Sequence, residues 1–286
     1  MKVSAFTFIK NGVILGYPFL QSIQSILDIV DEFVINVGFS EDDTLSLIQS
    51  LQSPKIRIIQ SHWSSAMQDR GYVYGQQKMI AQFNCSGDWA FYIECDEIYH
   101  EEDLEKIRNS MEMHLTNPNV EALVFDFIHF YGNTNSILNS PGWYRSEARI
   151  IKNSIRSYAP DGLFWLVLES NKKGRYPNAK HTGISCYHYG WARDESQMNL
   201  KSNKVQKYWG KQHHKIDYTQ MDSAIIEEFK GTHPKIITDW LNDEKEIFKT
   251  DSNYVLTSKQ KKHRIMIKLE KLFGLELSKK HFKIIK

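Results

Sequence analysis

The chain has 286 residues, 41% of them apolar and 24% charged, and its three cysteines share no CxxC spacing. Those values are ordinary for a globular protein, indicate neither a disulfide framework nor a zinc site, and leave room for a substantial core. The net charge of +2 is unevenly spread: residues 259–286 carry ten Lys or Arg against Glu270 and Glu276, a segment of +8, which leaves −6 on residues 1–258. A net acidic body argues against nucleic acid as a partner. The amino terminus, Met1-Lys-Val-Ser-Ala-Phe-Thr, reads as a strand rather than a signal peptide, and no apolar run has the length of a membrane span. The expectation is an intracellular, cytoplasmic and reduced protein.

In chain order, Val3 to Ile9 predicts a buried strand, followed by Lys10-Asn11-Gly12. Pro18 suits a first helical turn, and Leu20, Ile23, Leu27 and Val30 recur at helical spacing, so a helix is predicted over residues 18–30. A strand over Phe33 to Val37, a helix over residues 44–51 and a strand over Ile56 to Gln60 follow. The alternation β-α-β-α-β predicts a parallel sheet with helical crossovers. A helix from Tyr72 to Phe83 precedes the most distinctive stretch, Asp88-Trp-Ala-Phe-Tyr-Ile-Glu-Cys-Asp-Glu97. Its first half suits a strand buried on both faces. Its second half places Glu94, Asp96 and Glu97 at the carboxyl end of that strand, where open α/β sheets bind ligands. Hard carboxylate oxygens suit Mg²⁺ or Mn²⁺, and such an ion suits a diphosphate. The residues alone also allow a solvated acidic turn, because Glu101, Glu102, Asp103 and Glu105 continue the charge into a helix N-terminus.

Residues 105–115 predict the body of that helix, and Glu121 to Phe130 a strong strand. Residues 131–142, rich in Asn, Ser and Gly, predict a loop. Trp143 to Ile151 predicts a strand with Arg145, Glu147 and Arg149 on one face, and Gly183 to Gly190 a short strand. No GxGxxG follows the first strand, so a dinucleotide-binding Rossmann reading lacks its phosphate loop.

Three segments together resemble the family 2 glycosyltransferases. Asp31-Glu-Phe-Val-Ile-Asn-Val-Gly-Phe-Ser-Glu-Asp-Asp-Thr44 is similar to that family's second strand and S-x-D-G-T turn, with Asp43 in place of the glycine. Glu94-Cys-Asp-Glu97 resembles the D-x-D metal motif, with Glu94 in place of the first Asp. His188-Tyr-Gly-Trp191 resembles the H-Y-G-W of many bacterial members. The likeness runs from about Val3 to about Arg193.

The resemblance implies a GT-A type α/β fold, a mostly parallel central sheet flanked by helices. It implies a glycosyltransferase domain over residues 1–230 and a helical C-terminal extension over residues 231–286. The implied activity is metal-dependent, inverting transfer of a sugar from a UDP- or GDP-sugar to a glycan, lipid-linked or protein acceptor, as in polysaccharide biosynthesis. Asp96 is the implied ligand of Mn²⁺ or Mg²⁺, with Glu94 or Glu97 as a supporting or ribose contact and His188 completing the site; a core histidine between Tyr187 and Tyr189 is the competing reading. Thr7, Asn11 and Asp42 are implied in the base and ribose pocket, although Asp42 also suits a helix N-cap. Arg193 and Lys201 are implied at the diphosphate. Asp161 and Glu147 are the candidate bases for the acceptor hydroxyl; an ion pair for Glu147 and a turn for Asp161 stay open.

Two other classes stay open. A sugar-1-phosphate nucleotidyltransferase would need a glycine-rich loop after the first strand, which Phe8-Ile-Lys-Asn-Gly-Val does not supply. A catalytically inert sugar- or protein-binding module would keep the fold alone. In the tail, Ile265, Leu269, Leu272 and Phe273 fall at helical spacing among basic residues. That pattern fits peripheral contact with an anionic membrane, or a terminal helix docked on the domain.

Overall fold

A computed structural model describes residues 1–210, 215–241 and 247–285. The β-branched and aromatic runs form strands β1 (Val3–Ile9), β2 (Glu32–Gly38), β3 (Ile56–Ser61) and β4 (Trp89–Tyr92), linked by helices α1 (Phe19–Ile26), α2 (Thr44–Gln49) and α3 (Tyr72–Phe83). β1 pairs in parallel with β2 and with β4, and β2 pairs in parallel with β3. This is the predicted alternation. The first helix is shorter than predicted, because Leu27–Ile29 tightens into a 3-10 turn.

Past β4 the chain turns through Glu94-Cys95-Asp96 into β5 (Glu97–Tyr99) and α4 (Leu104–His114). Strands β6 (Ala122–Tyr131), β7 (Asn133–Leu138) and β8 (Ser146–Lys152) follow. Residues 133–138, predicted as loop, instead form a hairpin with β6, across a tight turn at Gly132 with φ +74°. β8 lies between β4 and β6, antiparallel to both. A small sheet of β9 (Ser157–Tyr158), β10 (Leu166–Leu168) and β11 (Gly174–Arg175) leads into β12 (Asn178–Trp191). β12 is far longer than Gly183 to Gly190, because an irregularity between His181 and Ser185 lets one strand continue through two registers. It runs parallel to β6 and antiparallel to β5. The helix α5 (Glu195–Val205), strand β13 (Ile226–Glu228), helix α6 (Ser258–Phe273) and strand β14 (Lys283–Ile284) complete the order.

The result is the expected α/β fold, a curled central sheet flanked by helices. Side-chain alternation along the strands divides the core between the two faces. Val3, Ala5, Phe33 and Ile35 pack with Phe19, Ile23 and Ile26 of α1 and Ile107 and Met111 of α4. Phe6 and Val34 point the other way, onto Met79 and Ala81 of α3. Burial of both sheet faces explains why these strands read as unbroken apolar runs.

The carboxyl-terminal segment is clamped onto this body by charged contacts. Arg264 of α6 holds Asp222 at 2.9 and 2.7 Å, and Glu270 receives both terminal nitrogens of Arg145 at 2.9 and 3.0 Å. β14 adds a parallel strand to β12. The side of α6 that carries Ile265, Leu269, Leu272 and Phe273 faces outward, and these four side chains are exposed. Among the described residues no helix is long and apolar enough to cross a membrane.

Candidate active site

The carboxyl ends of the parallel strands border a cavity of about 430 Å³. Its floor comes from Phe8 and Ile9 at the end of β1 and Glu94, Cys95 and Asp96 after β4. Its far wall comes from Lys201 and Lys204 of α5 and from Lys207, Tyr208 and Trp209 just beyond it. Phe8, Trp63, Tyr74 and Tyr208 meet at one end, with ring centroids 5.3 to 5.9 Å apart. Such a cluster offers flat apolar faces to a base or sugar.

Three carboxylates leave β4 and have three different environments. Glu97 is fully buried and receives Arg149 Nε at 2.9 Å and Arg149 Nη2 at 2.5 Å. It is a structural counter-ion. Glu94 takes the outer side of the same guanidinium at 3.3 Å and lines the cavity. Burial, reinforced by the neighbouring Glu97 and only partly opposed by Arg149, pushes the Glu94 carboxyl up to about 8. One guanidinium cannot fully compensate two carboxylates, and Glu97 holds it more closely.

Asp96 is surrounded by positive and titratable groups. Lys201 Nζ lies 3.1 Å from its Oδ2, and Arg193 Nη2 lies 3.9 Å from the same oxygen. His188 Nε2 faces its other oxygen at 3.7 Å. Burial alone would raise this carboxyl, but Lys201 and Arg193 outweigh it and hold Asp96 well below the usual carboxylate range. Arg193 is itself buried, with Nε and Nη2 lacking hydrogen-bond partners among the described residues. A guanidinium left in that state suits an anion nearby.

His188 reaches this point because β12 pairs with β6, which sets His129 beside it in register. The two rings meet Nδ1 to Nδ1 at 2.9 Å, and His129 Nε2 lies 2.6 Å from the Tyr144 carbonyl oxygen. Burial lowers both imidazoles, that of His129 to about 3, which leaves His129 neutral. Gly190, two residues after His188, leaves the space beside Asp96 open. A Cβ there would sit 2.6 Å from His188 Nε2 and 3.0 Å from Asp96 Oδ2.

These features bear on the implied metal. Asp96 and His188 bring an oxygen and a nitrogen ligand to one cradle that a single methyl group would fill; the carboxylate suits Mn²⁺ or Mg²⁺, and the added nitrogen favours Mn²⁺ over Mg²⁺, which prefers oxygen ligands. Among the described residues no third His, Cys, Asp or Glu joins them, so an ion there would need oxygens from its ligand and from water. The donor set fits on those terms.

The remaining sequence-derived candidates divide clearly. Asn11, Glu94, Asp96, His188 and Lys201 line the cavity, and Arg193 stands directly behind Asp96. Asn11 adopts a left-handed φ of 55° and accepts the Glu41 backbone N–H at 2.9 Å, tying the ends of β1 and β2 together. Thr7 does not reach the cavity: its hydroxyl is buried against Cys95 Sγ at 3.7 Å. Asp42 is also diverted, accepting the Ile14 N–H at 2.8 Å and the Thr44 N–H at 3.1 Å. Glu147 lies outside the cavity, fully buried and bonded to His281 Nδ1 at 2.6 Å, so it anchors the tail. Its predicted partners Arg145 and Arg149 bind Glu270 and Glu97 instead. Asp161 accepts the Leu163 N–H at 2.8 Å, at the start of the Gly162-Leu163 segment that lines the rim.

Sequence reasoning missed His129 and the basic and aromatic wall. His129 carries a signal only once its strand is known to pair with the one bearing His188. Lys204, Lys207 and Tyr208 read as a solvated helical segment, which is how most such segments behave.

No family model matches the chain, and no curated protein matches it. Partial likenesses to solved structures exist. One is Staphylococcus aureus TarS residues 1–349 in complex with UDP, at 18% identity and a TM-score of 0.34, covering 47% of this chain and 37% of that one. Another is glucosyl-3-phosphoglycerate synthase from Mycobacterium tuberculosis with Mn²⁺, UDP-glucose and phosphoglyceric acid, at 17% identity and a TM-score of 0.32, covering 44% of each chain. A third is mannosyl-3-phosphoglycerate synthase from Rubrobacter xylanophilus, at 16% identity and a TM-score of 0.32, covering 45% of this chain and 41% of that one. In each case the match spans less than half of the other protein.

Proposed function

We propose that this protein is a family 2 type, GT-A glycosyltransferase. It moves a sugar from a nucleotide-sugar donor to a glycan, lipid-linked or protein acceptor. The observation that carries this reading is the cradle between Asp96, His188 and Gly190, set in a cavity at the carboxyl ends of parallel strands. Nucleotide ligands of open α/β sheets bind at that edge.

The chain's own groups divide the work. Asp96 and His188 would hold Mn²⁺ or Mg²⁺, whose Lewis acidity offsets charge on a departing diphosphate. Lys201 and Arg193, already crowded on one carboxylate oxygen, direct surplus positive charge toward the same place, with Lys204 and Lys207 across the cavity. Asn11, Glu94 and the aromatic cluster bind and orient the nucleoside part of a UDP- or GDP-sugar. Water exclusion by the aromatic wall strengthens each charge interaction. In an inverting displacement the acceptor hydroxyl must lose its proton, and Asp161, next to the lining residues Gly162 and Leu163, is the residue assigned to accept it. Residues 1–230 form the transferase unit, and residues 231–286 an extension that rests on it.

The outward face of α6 supports a place at the inner surface of a membrane. Ile265, Leu269, Leu272 and Phe273 are flanked there by exposed Lys261, Lys262, Lys268 and Lys271, a composition that suits an anionic bilayer. A sugar-1-phosphate nucleotidyltransferase is disfavoured by the Lys10-Asn11-Gly12 turn, which has no glycine-rich phosphate loop.

The test is turnover. The protein is incubated with a panel of UDP- and GDP-sugars and Mn²⁺, and released nucleoside diphosphate is measured. Release from one donor, lost with Asp96→Asn, is the expected result. Pyrophosphate release from a sugar-1-phosphate and a nucleoside triphosphate would favour the nucleotidyltransferase reading.

A further inference from the structure

We propose that His129 is a positioning residue that fixes His188 in the tautomer carrying its proton on Nδ1, so that the Nε2 lone pair faces Asp96. The inference rests on the reading of Asp96 and His188 as the cation-binding pair, and it follows from counting protons along one line of contacts.

The Tyr144 carbonyl oxygen can only accept. Its 2.6 Å contact with His129 Nε2 therefore places a proton on that nitrogen. A neutral imidazole has one N–H, which leaves His129 Nδ1 as a bare acceptor. The 2.9 Å contact between the two Nδ1 atoms needs one proton, and His188 must supply it. A neutral His188 with its proton on Nδ1 leaves Nε2 bare. This nitrogen points at Asp96 Oδ1 from 3.7 Å, too far for a hydrogen bond. Two lone pairs facing each other across an open cradle are suited to a shared cation.

The relay is held rigidly. The His129 ring stacks on Phe127 at 5.5 Å and meets Tyr144 edge-on at 4.7 Å and Trp143 at 5.4 Å. It is 1% exposed, so water cannot replace either of its bonds. Metal-binding histidines are generally oriented by a partner on the other ring nitrogen, and loss of that partner costs about 10- to 100-fold in metal affinity. Here the partner is a second histidine, itself oriented by a backbone carbonyl.

Two measurements test this on the full chain. The first is long-range ¹H–¹⁵N correlation of ¹⁵N-imidazole-labelled protein without metal, with His188 assigned from a His188→Gln sample. The expected spectrum has His188 protonated on Nδ1 in the wild type. A wild-type His188 protonated on Nε2 would overturn the proposal, whatever the fate of the metal reading. The second is Mn²⁺ affinity in the presence of UDP, read by electron paramagnetic resonance. His129→Phe, which keeps the ring stacking but removes the acceptor, is expected to weaken Mn²⁺ by about 10- to 100-fold. His129→Asn, whose amide oxygen can accept the same proton, is expected to recover most of that loss. Unchanged Mn²⁺ affinity in a folded His129→Phe protein would contradict the relay. Should wild-type protein with UDP bind no Mn²⁺, the metal reading falls, and the wild-type tautomer still decides for or against the relay. Should His129→Phe fail to fold, the wild-type tautomer and the His129→Asn affinity decide it.

Discussion

Asp96 Oδ1 and His188 Nε2 stand 3.7 Å apart although they come from the turn after β4 and from the far end of β12. Gly190 keeps the space beside them clear. A Gly190→Ala methyl would sit 2.6 Å from His188 Nε2, so the imidazole must shift away from Asp96. The expected outcome is a fall of about tenfold or more in Mn²⁺-dependent nucleotide affinity, equivalent to about 1.4 kcal/mol. Calorimetric titration with UDP in the presence and absence of Mn²⁺ checks it, and metal-independent affinity should change little.

Asp96 also has a structural side, because it is the counter-charge of Lys201 and lies beside Arg193. Removing it with Asp96→Ala leaves buried positive charge uncompensated, which typically costs about 3–5 kcal/mol. The double variant with Lys201→Met should recover part of that loss, since it removes one of the stranded cations. Chemical denaturation of the two singles and the double gives the coupling. Additive losses would show that Lys201 does not depend on Asp96.

Lys78 gives a pH signature. It is fully buried over the rings of Tyr92 and Trp165, at 4.0 and 3.7 Å, and donates to the Gly162 carbonyl at 3.1 Å. Burial, aided by the nearby Arg149, lowers its ammonium to about 7 against an ordinary value of 10.5. The unfolded chain therefore binds more protons than the native one between pH about 7 and 10.5, and stability must rise with pH across that window. Lys78→Met has no such group. The melting temperature of wild type relative to Lys78→Met should climb from pH 7 toward pH 10 and be flat below 7, as followed by circular dichroism. A parallel pair of curves would refute the shift.

The two faces of α6 should respond differently. Glu270→Ala removes the partner of Arg145 and is expected to cost on the order of 2 kcal/mol of stability. Leu272→Glu with Phe273→Glu changes only exposed side chains, so stability should stay within about 0.5 kcal/mol. The second pair should abolish flotation with anionic liposomes at low salt, where each basic residue contributes about 1 kcal/mol at best and salt screens it. Flotation that survives the pair would place any membrane contact elsewhere.

Much of the fold was legible because burial on both faces leaves strands β1, β2 and β4 as apolar runs that local pattern can detect. The residues 133–138 hairpin was not legible. Its Asn-Thr-Asn-Ser composition reads as loop, and pairing with β6 overrides that preference. At the site, short motifs at strand ends pointed to Asp96 and His188, and the fold brings their side chains together. Glu147 misled because alternation suggests that Arg145 and Arg149 are its partners, while its actual partner, His281, lies far along the chain. Thr7 and Asp42 occupy the right strand ends, yet their side chains turn into the fold. Which way a polar side chain turns depends on neighbours from distant segments, and local sequence does not encode them.

The most direct test of the account is calorimetric titration of wild-type protein and Asp96→Asn with UDP, each with and without Mn²⁺. The account predicts that wild type binds UDP, that Mn²⁺ tightens the binding about tenfold or more, and that Asp96→Asn loses the Mn²⁺ increment. Absence of UDP and GDP binding to folded wild-type protein at millimolar concentration, or a Mn²⁺ increment that survives in Asp96→Asn, would contradict it.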